Sequence, residues 1–385
     1  MAVDGVGVLP IFLTGAMAVQ LKQDIGLSLD SLGIVYASYF TFAALFSAPL
    51  SRVSEHVGAD WALRLGTTVY LVAFLGIAVF ATSPVTLSAF IALSGVATAL
   101  TRTATSVLIA RNVGRGRQGL AFGLKHSSIP IASLLAGLSV PTIALTVGWP
   151  WAYVAAAMLT GLVLVVIPRS PDRPSSRQSV VGNDMSFGAL VFAAASFGLG
   201  SSAAASLGAY TVSTAVASGM SEGSAGLLVA IGSVVGLISR LAVGTWSDRR
   251  RGSQLDLVSW MLAAGGVGFL LLGAADEWVM LLAVPISFAT GWAWLGSYNL
   301  AMVRLNPSAP GAAVGLTQTG AFVGAIVGPI GLGFLAEEFS FSAAWLAAAT
   351  ASLAAAAMLF VLRRFILGEP GRRELREIER SMMQM

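Results

Sequence analysis

Five side chains in this sequence have the chemistry to bind or relay charge: Asp4, Arg102, Lys125, His126 and Arg240. All five interrupt stretches that are otherwise apolar. A guanidinium presents its N–H donors as a planar fork that fits a carboxylate or phosphate bidentately, and an ammonium is a compact positive charge. A histidine or aspartate at such a place can take up and release a proton. Anion binding with a proton as companion is the chemistry these residue types allow. Other chemistry has little to build on. The chain has no cysteine, and its two histidines, His56 and His126, lack metal-ligand spacing. No hydrolytic triad or phosphate-cradling glycine loop occurs, so no enzyme activity, metal or cofactor is expected.

What positions these groups is set by composition. The 385 residues are 56% hydrophobic and only 10% charged, with a mean hydropathy of +0.82. A soluble domain of this size needs more charge to cover its surface. The apolar residues fall in blocks that exceed the roughly 18 residues needed to cross a bilayer core. Reading between charges and turn residues predicts twelve spans, near 3–21, 31–50, 64–82, 86–110, 119–146, 149–168, 187–208, 223–246, 255–274, 278–303, 311–336 and 341–362. No basic region precedes the first block, so no cleavable signal is expected.

The loops sort by charge. One set carries Arg52, Arg64, Arg111, Arg115, Arg117, Arg169, Arg173, Arg177, Arg249 to Arg251, Arg304 and the tail from Arg363. The other set has only Lys22 among bases, with Asp24, Asp30, Glu222, Asp276, Glu277, Glu337 and Glu338. This asymmetry predicts both termini in the cytoplasm of a multi-pass inner-membrane protein. It also accounts for the net charge of +4 without any nucleic-acid partner. Lys22 and Lys125 are the only lysines, an arginine bias that fits a GC-rich bacterial genome. RSPDRPSSRQSVVGND reads as a linker over 169–186, between a bundle at 1–168 and a second at 187–364, with a cytoplasmic tail at 365–385.

The two halves repeat. GLSLDSLGI (Gly26 to Ile34) aligns with GMSEGSAGL (Gly219 to Leu227), and Glu55 with Asp248. GLAFGLKHS (Gly119 to Ser127) aligns with GAAVGLTQT (Gly311 to Thr319), one residue out of step. Parallel six-span halves are the mark of a duplicated transporter with its site at mid-membrane. The loop after the eighth span reads Gly244-Thr-Trp-Ser-Asp248-Arg249-Arg250-Arg251-Gly252; its counterpart reads Ser51-Arg-Val-Ser-Glu55-His56-Val-Gly58.

On these motifs the chain resembles the major facilitator superfamily over nearly its whole length. The resemblance implies an all-α fold of twelve membrane helices in two pseudo-symmetric bundles. It also implies a gating motif of Glu55, Gly244, Asp248 and Arg249, degenerate in its first copy. Spans four, five and eight, which carry Arg102, Lys125 and Arg240, would line a central cavity, and spans three, six, nine and twelve would face lipid. Ser239-Arg240 to Asp248 is further similar to the eighth span of monocarboxylate and oxalate/formate-type transporters, where the arginine binds the substrate carboxylate. The glycines of the eleventh span, Gly320 to Gly333, are expected to allow tight packing and a bend.

Depth agrees with that placement. Arg102 precedes Arg111 by nine residues, Lys125 follows Arg117 by eight, and Arg240 precedes Asp248 by eight. At 1.5 Å per residue each lies on the order of 12–14 Å into a core about 30 Å thick. The expectation is alternating-access transport of a small organic anion, a carboxylate first. Arg240 is the chief ligand, Arg102 and Lys125 support it, and His126, Trp294, Tyr298 and Gln318 shape the pocket. Asp4 and His126 are candidate proton carriers, the lipid bilayer is the surrounding partner, and a monomer is expected. Other readings stay open for single residues. Arg240 can cap helix carbonyls, Arg102 can pair with Asp4, Lys125 can snorkel, and Asp4 can be a helix N-terminal acid. The rival functions are a drug or metabolite exporter of the same fold and a non-transporting membrane sensor.

Overall fold

The computed structural model describes residues 2–112, 125–167, 185–249, 254–306 and 310–366. Every regular element among them is helical, as the long uninterrupted apolar blocks require. Ten helices are long and apolar enough to cross a membrane, and a bent pair and a shorter apolar helix join them. In chain order the first span is Ala2–Ala16 with Ala18–Ile25, the second Leu29–Val57, the third Ala59–Phe80 and the fourth Pro84–Asn112. The fifth is Ser128–Ser139 continued through Val140–Ala144 and Leu145–Val147, and the sixth is Pro150–Val166. Phe187–Ala217, Glu222–Arg249 and Gln254–Leu272 are the seventh, eighth and ninth. The tenth is Glu277–Ile286, Ser287–Gly291 and Leu295–Leu305; the last two are Pro310–Glu338 and Phe341–Ile366.

Local chemistry sets the ends and breaks. Gly26 takes φ 71° and closes the first span through its N–H to the Leu21 carbonyl, a left-handed cap that a side chain would strain. Asp276 starts the tenth span, its Oδ1 accepting from the Trp278 and Val279 N–H groups at 2.9 and 3.0 Å. Val140–Ala144 and Ser287–Gly291 widen into single π turns, the first of them at Pro141, which has no N–H to give the helix. The first span bends by 68° at Met17, a break that its unbroken hydropathy conceals.

Within each bundle the helices pair by position. The third packs on the fourth and sixth, and the ninth on the twelfth. The outward faces of these lipid-side spans expose Val79, Leu162, Trp260 and Phe365. Between bundles, the second span lies on the eleventh, the fifth on the eighth and the first on the seventh. Exchanging the halves turns the second–eleventh seam into the eighth–fifth seam, so the sequence repeat is also a repeat of contacts. Gly33 and Gly226 are partners in the repeat, and each brings its backbone against the opposite bundle, at Pro329 and Gly137 respectively. Carrying the Gly119/Gly311 register onward places Gly137 on Pro329. A methyl group at Gly226 would stand 2.7 Å from the Gly137 carbonyl oxygen. The glycine row of the eleventh span is likewise a packing surface. Side chains at Gly320, Gly324 and Gly328 would run into the carbonyls of Ala194, Gly198 and Ser202 on the seventh span.

Candidate functional site

Between the bundles lies a cavity of about 1160 Å³, its open mouth included. At the end remote from the first and last helix termini, backbone-rich contacts close it. The Tyr210 hydroxyl sits 2.9 Å from the Leu29 carbonyl and 2.8 Å from that of Pro329, while Tyr36 donates to the Gly208 carbonyl at 2.9 Å. Gln20 on the bent end of the first span donates to Glu222 at 2.8 Å, and the Glu337 carboxylate accepts the Leu29 N–H at 3.1 Å.

Of the sequence-selected residues, Asp4, Arg102, Lys125, His126 and Gln318 come together in the cavity lining. The Lys125 Nζ stands 3.9 Å from Asp4 Oδ1 and donates to the Arg102 carbonyl at 3.2 Å. Both Asp4 and Lys125 are buried, so Lys125 does not snorkel, and Asp4 pairs across the bundle with the lysine of the fifth span. A buried charge needs such a partner. Arg102 lies over the Phe322 ring, 5.7 Å from its centroid, a cation–π contact that joins the fourth span to the eleventh across the cavity. Beside Asp4 runs a hydroxyl network: Tyr39 donates to the Gly7 carbonyl at 2.9 Å and meets Thr98 at 2.7 Å, and Tyr70 meets Thr98 at 2.8 Å and Thr101 at 3.0 Å.

Arg240 occupies a different place. Its Nη1 donates to the His126 carbonyl at 2.5 Å and its Nη2 to the Trp292 carbonyl at 3.0 Å. It is 9% exposed and stands behind the lining, while His126 and Trp292 are themselves lining residues. The two carbonyls flank interruptions, at Ser127 in the fifth span and after Gly291 in the tenth, where the helical ladder leaves acceptors for an outside donor. Arg240 thus straps one bundle to the other by their backbones, and its Nε is left without a hydrogen-bond partner.

Trp294 and Tyr298 are fully buried behind the wall as well, Trp294 donating to the Gly291 carbonyl and Tyr298 to that of Ala193. Both pack against Phe197, with ring centroids 5.4 and 4.2 Å away, and it is Phe197 that reaches the cavity. Phe12, Phe197, Phe322 and Trp292 make the apolar walls. A methyl group at Gly244 would meet nothing within 4 Å. The side chains of Glu55, Asp248 and Arg249, on which the gating expectation rests, lie outside the described residues.

Known proteins resemble this arrangement as a whole. The family model of the Major Facilitator Superfamily matches residues 7–255 and again 185–381. Among solved structures, a bacterial homolog to the human lysosomal transporter Spinster, in an inward-facing and occupied conformation, superposes with a TM-score of 0.73. It is 13% identical, over 94% of this chain and 95% of that one. The inward-facing and unoccupied conformation gives a TM-score of 0.62 at 14% identity, over 94% and 93%. No curated protein sequence matches. The likeness to these structures concerns the fold, and the family match spans most of the sequence. The chain belongs to the major facilitator superfamily and is a multi-pass membrane transporter, not an enzyme.

Proposed function

We propose that this transporter carries a small organic anion, a carboxylate first, by alternating access, with a proton as coupling ion taken up at Asp4 or His126. One observation supports the cargo's sign. The formal charges lining the described cavity are Arg102 and Lys125 against Asp4, one net positive charge among aromatic and aliphatic walls. In a low-dielectric hollow such a charge favours an anionic guest. Arg240 serves this site by holding the backbones of His126 and Trp292 in place. The arginine-rich loops favour a bacterial inner membrane with both termini in the cytoplasm. The test is thermal-shift screening of the purified protein with carboxylates and with lipophilic amines, followed by uptake into proteoliposomes at several pH values. Carboxylates should raise the midpoint and drive uptake that grows as the outside is acidified. Stabilisation by amines alone would favour the drug-exporter reading and overturn this one.

Alternating access requires the remote closure to part. Tyr210→Phe removes the one hydroxyl proton shared by the Leu29 and Pro329 carbonyls. The lost hydrogen bond is worth about 1 kcal/mol, a shift of roughly fivefold towards the form open at that end. Spin labels placed across the second and eleventh spans should report a larger fraction of long distances in the variant. An unchanged distance distribution would show that Tyr210 does not hold the closure.

A further inference from the structure

The cavity is chemically lopsided. Asp4, Arg102, Lys125 and His126 all come from the first bundle. The second bundle supplies hydroxyl and carboxamide groups instead, from Ser201, Asn299 and Gln318. Ser201 is the informative one. Three other serines of the seventh span turn back on their own helix, Ser196 onto the Ala193 carbonyl, Ser202 onto that of Leu199 and Ser206 onto that of Ser202. Ser201 is only 6% exposed, lines the cavity, and its Oγ has no hydrogen-bond partner. A buried hydroxyl left unpaired is costly, so an orphan on a residue of the cavity wall points to a guest that completes it once the side chain turns to meet it. The carboxamides agree. Gln318 Nε2 reaches Asn299 Oδ1 at only 3.5 Å, which leaves the remaining donor and acceptor of the pair for something else. Gln318 also stands one helical turn before Phe322, the ring under Arg102, so the neutral groups sit across from the cations.

We infer that the cargo is a two-ended anion, its acidic end on Arg102 and Lys125 and a second, neutral polar group, a hydroxyl or carbonyl, on Ser201, Asn299 and Gln318. This rests on the anion reading above and adds a demand that charge alone does not make. Such a cargo would span the two bundles, and a plain acid would leave the second wall unmatched. Sites that hydrogen-bond a guest's hydroxyl reject the guest lacking it far more strongly than apolar pockets reject a change in size.

Matched pairs test it: propionate against lactate, succinate against malate, and phenylacetate against mandelate, titrated by thermal shift on the full-length protein. In at least one pair the hydroxy acid should bind about tenfold tighter. That advantage should collapse towards unity in Ser201→Ala and in Gln318→Leu, both of which should remain folded and monodisperse in detergent. Equal binding within every pair overturns this inference and leaves the anion reading standing. An advantage that survives in both variants, or a loss of both acids together, overturns the assignment to these residues. Binding of none of the acids by wild type removes the anion reading and this one with it.

Discussion

Arg102→Gln should abolish saturable carboxylate uptake, lowering kcat/KM by at least about a hundredfold while the protein remains folded and monodisperse in detergent. Glutamine keeps much of the length and some hydrogen bonding but removes the charge, and the described cavity then has no net charge to offer, Lys125 being paired with Asp4. Each charge-assisted hydrogen bond contributes about 1.5–3 kcal/mol, so a bidentate pair contributes about 3–6 kcal/mol, and a factor of ten corresponds to 1.36 kcal/mol. The Phe322 ring packs on the guanidinium, 5.7 Å from its centroid, and holds Arg102 at the cavity wall. Arg102→Lys keeps the charge without the fork and should fall in between, at roughly tenfold below wild type. Uptake in proteoliposomes measures both. If Arg102→Gln transports carboxylates as wild type does, Arg102 is no ligand and the sign of the cargo must be reconsidered.

Arg240→Ala should be as severe for a different reason. The side chain ties the His126 carbonyl of one bundle to the Trp292 carbonyl of the other, and both residues line the cavity. Cutting that strap releases two wall segments at helix interruptions. Misplacement on the order of 1 Å can cost about a hundredfold in a rate. The loss should appear mainly in kcat, because acid binding through Arg102 and Lys125 persists, and KM should rise by no more than about tenfold. Arg240→Lys can reach one carbonyl but not both, and it should rescue only part of the rate. Wild-type-like transport by Arg240→Ala would end any essential role for this residue. A KM increase of a hundredfold with kcat intact would instead make Arg240 a direct ligand.

Much of this architecture was legible in the residues. Long apolar blocks cannot bury themselves in a water-soluble core, so the spans and their order could be read from hydropathy alone. Ionisable groups are expensive in hydrocarbon, and that cost marked Asp4, Arg102, Lys125 and His126, which do meet in one cavity. The repeat placed Gln318 opposite His126, and both are lining residues. Other features left no such mark. Phe197 and Phe322 look like any packing aromatics until the fold shows which face each presents. Trp294 and Tyr298 drew attention by type, yet they act one layer back by supporting Phe197. The acceptors of Arg240 are backbone carbonyls at helix breaks, and carbonyls carry no side-chain signature. Ser201 was indistinguishable from its neighbours, because only geometry tells a satisfied serine from an orphan.

At two matched points the seams between the bundles bring main chain against main chain: Gly33 against Pro329, Gly226 against Gly137. Where backbone meets backbone, the surfaces can slip or separate with little reshuffling of rotamers, so each of these joints is a bearing more than a lock. The same bareness leaves it no tolerance. One methyl inserted at either seam would act as a wedge, and because the duplication laid down the same joint twice, an alanine at Gly33 or at Gly226 should bias the transporter the same way.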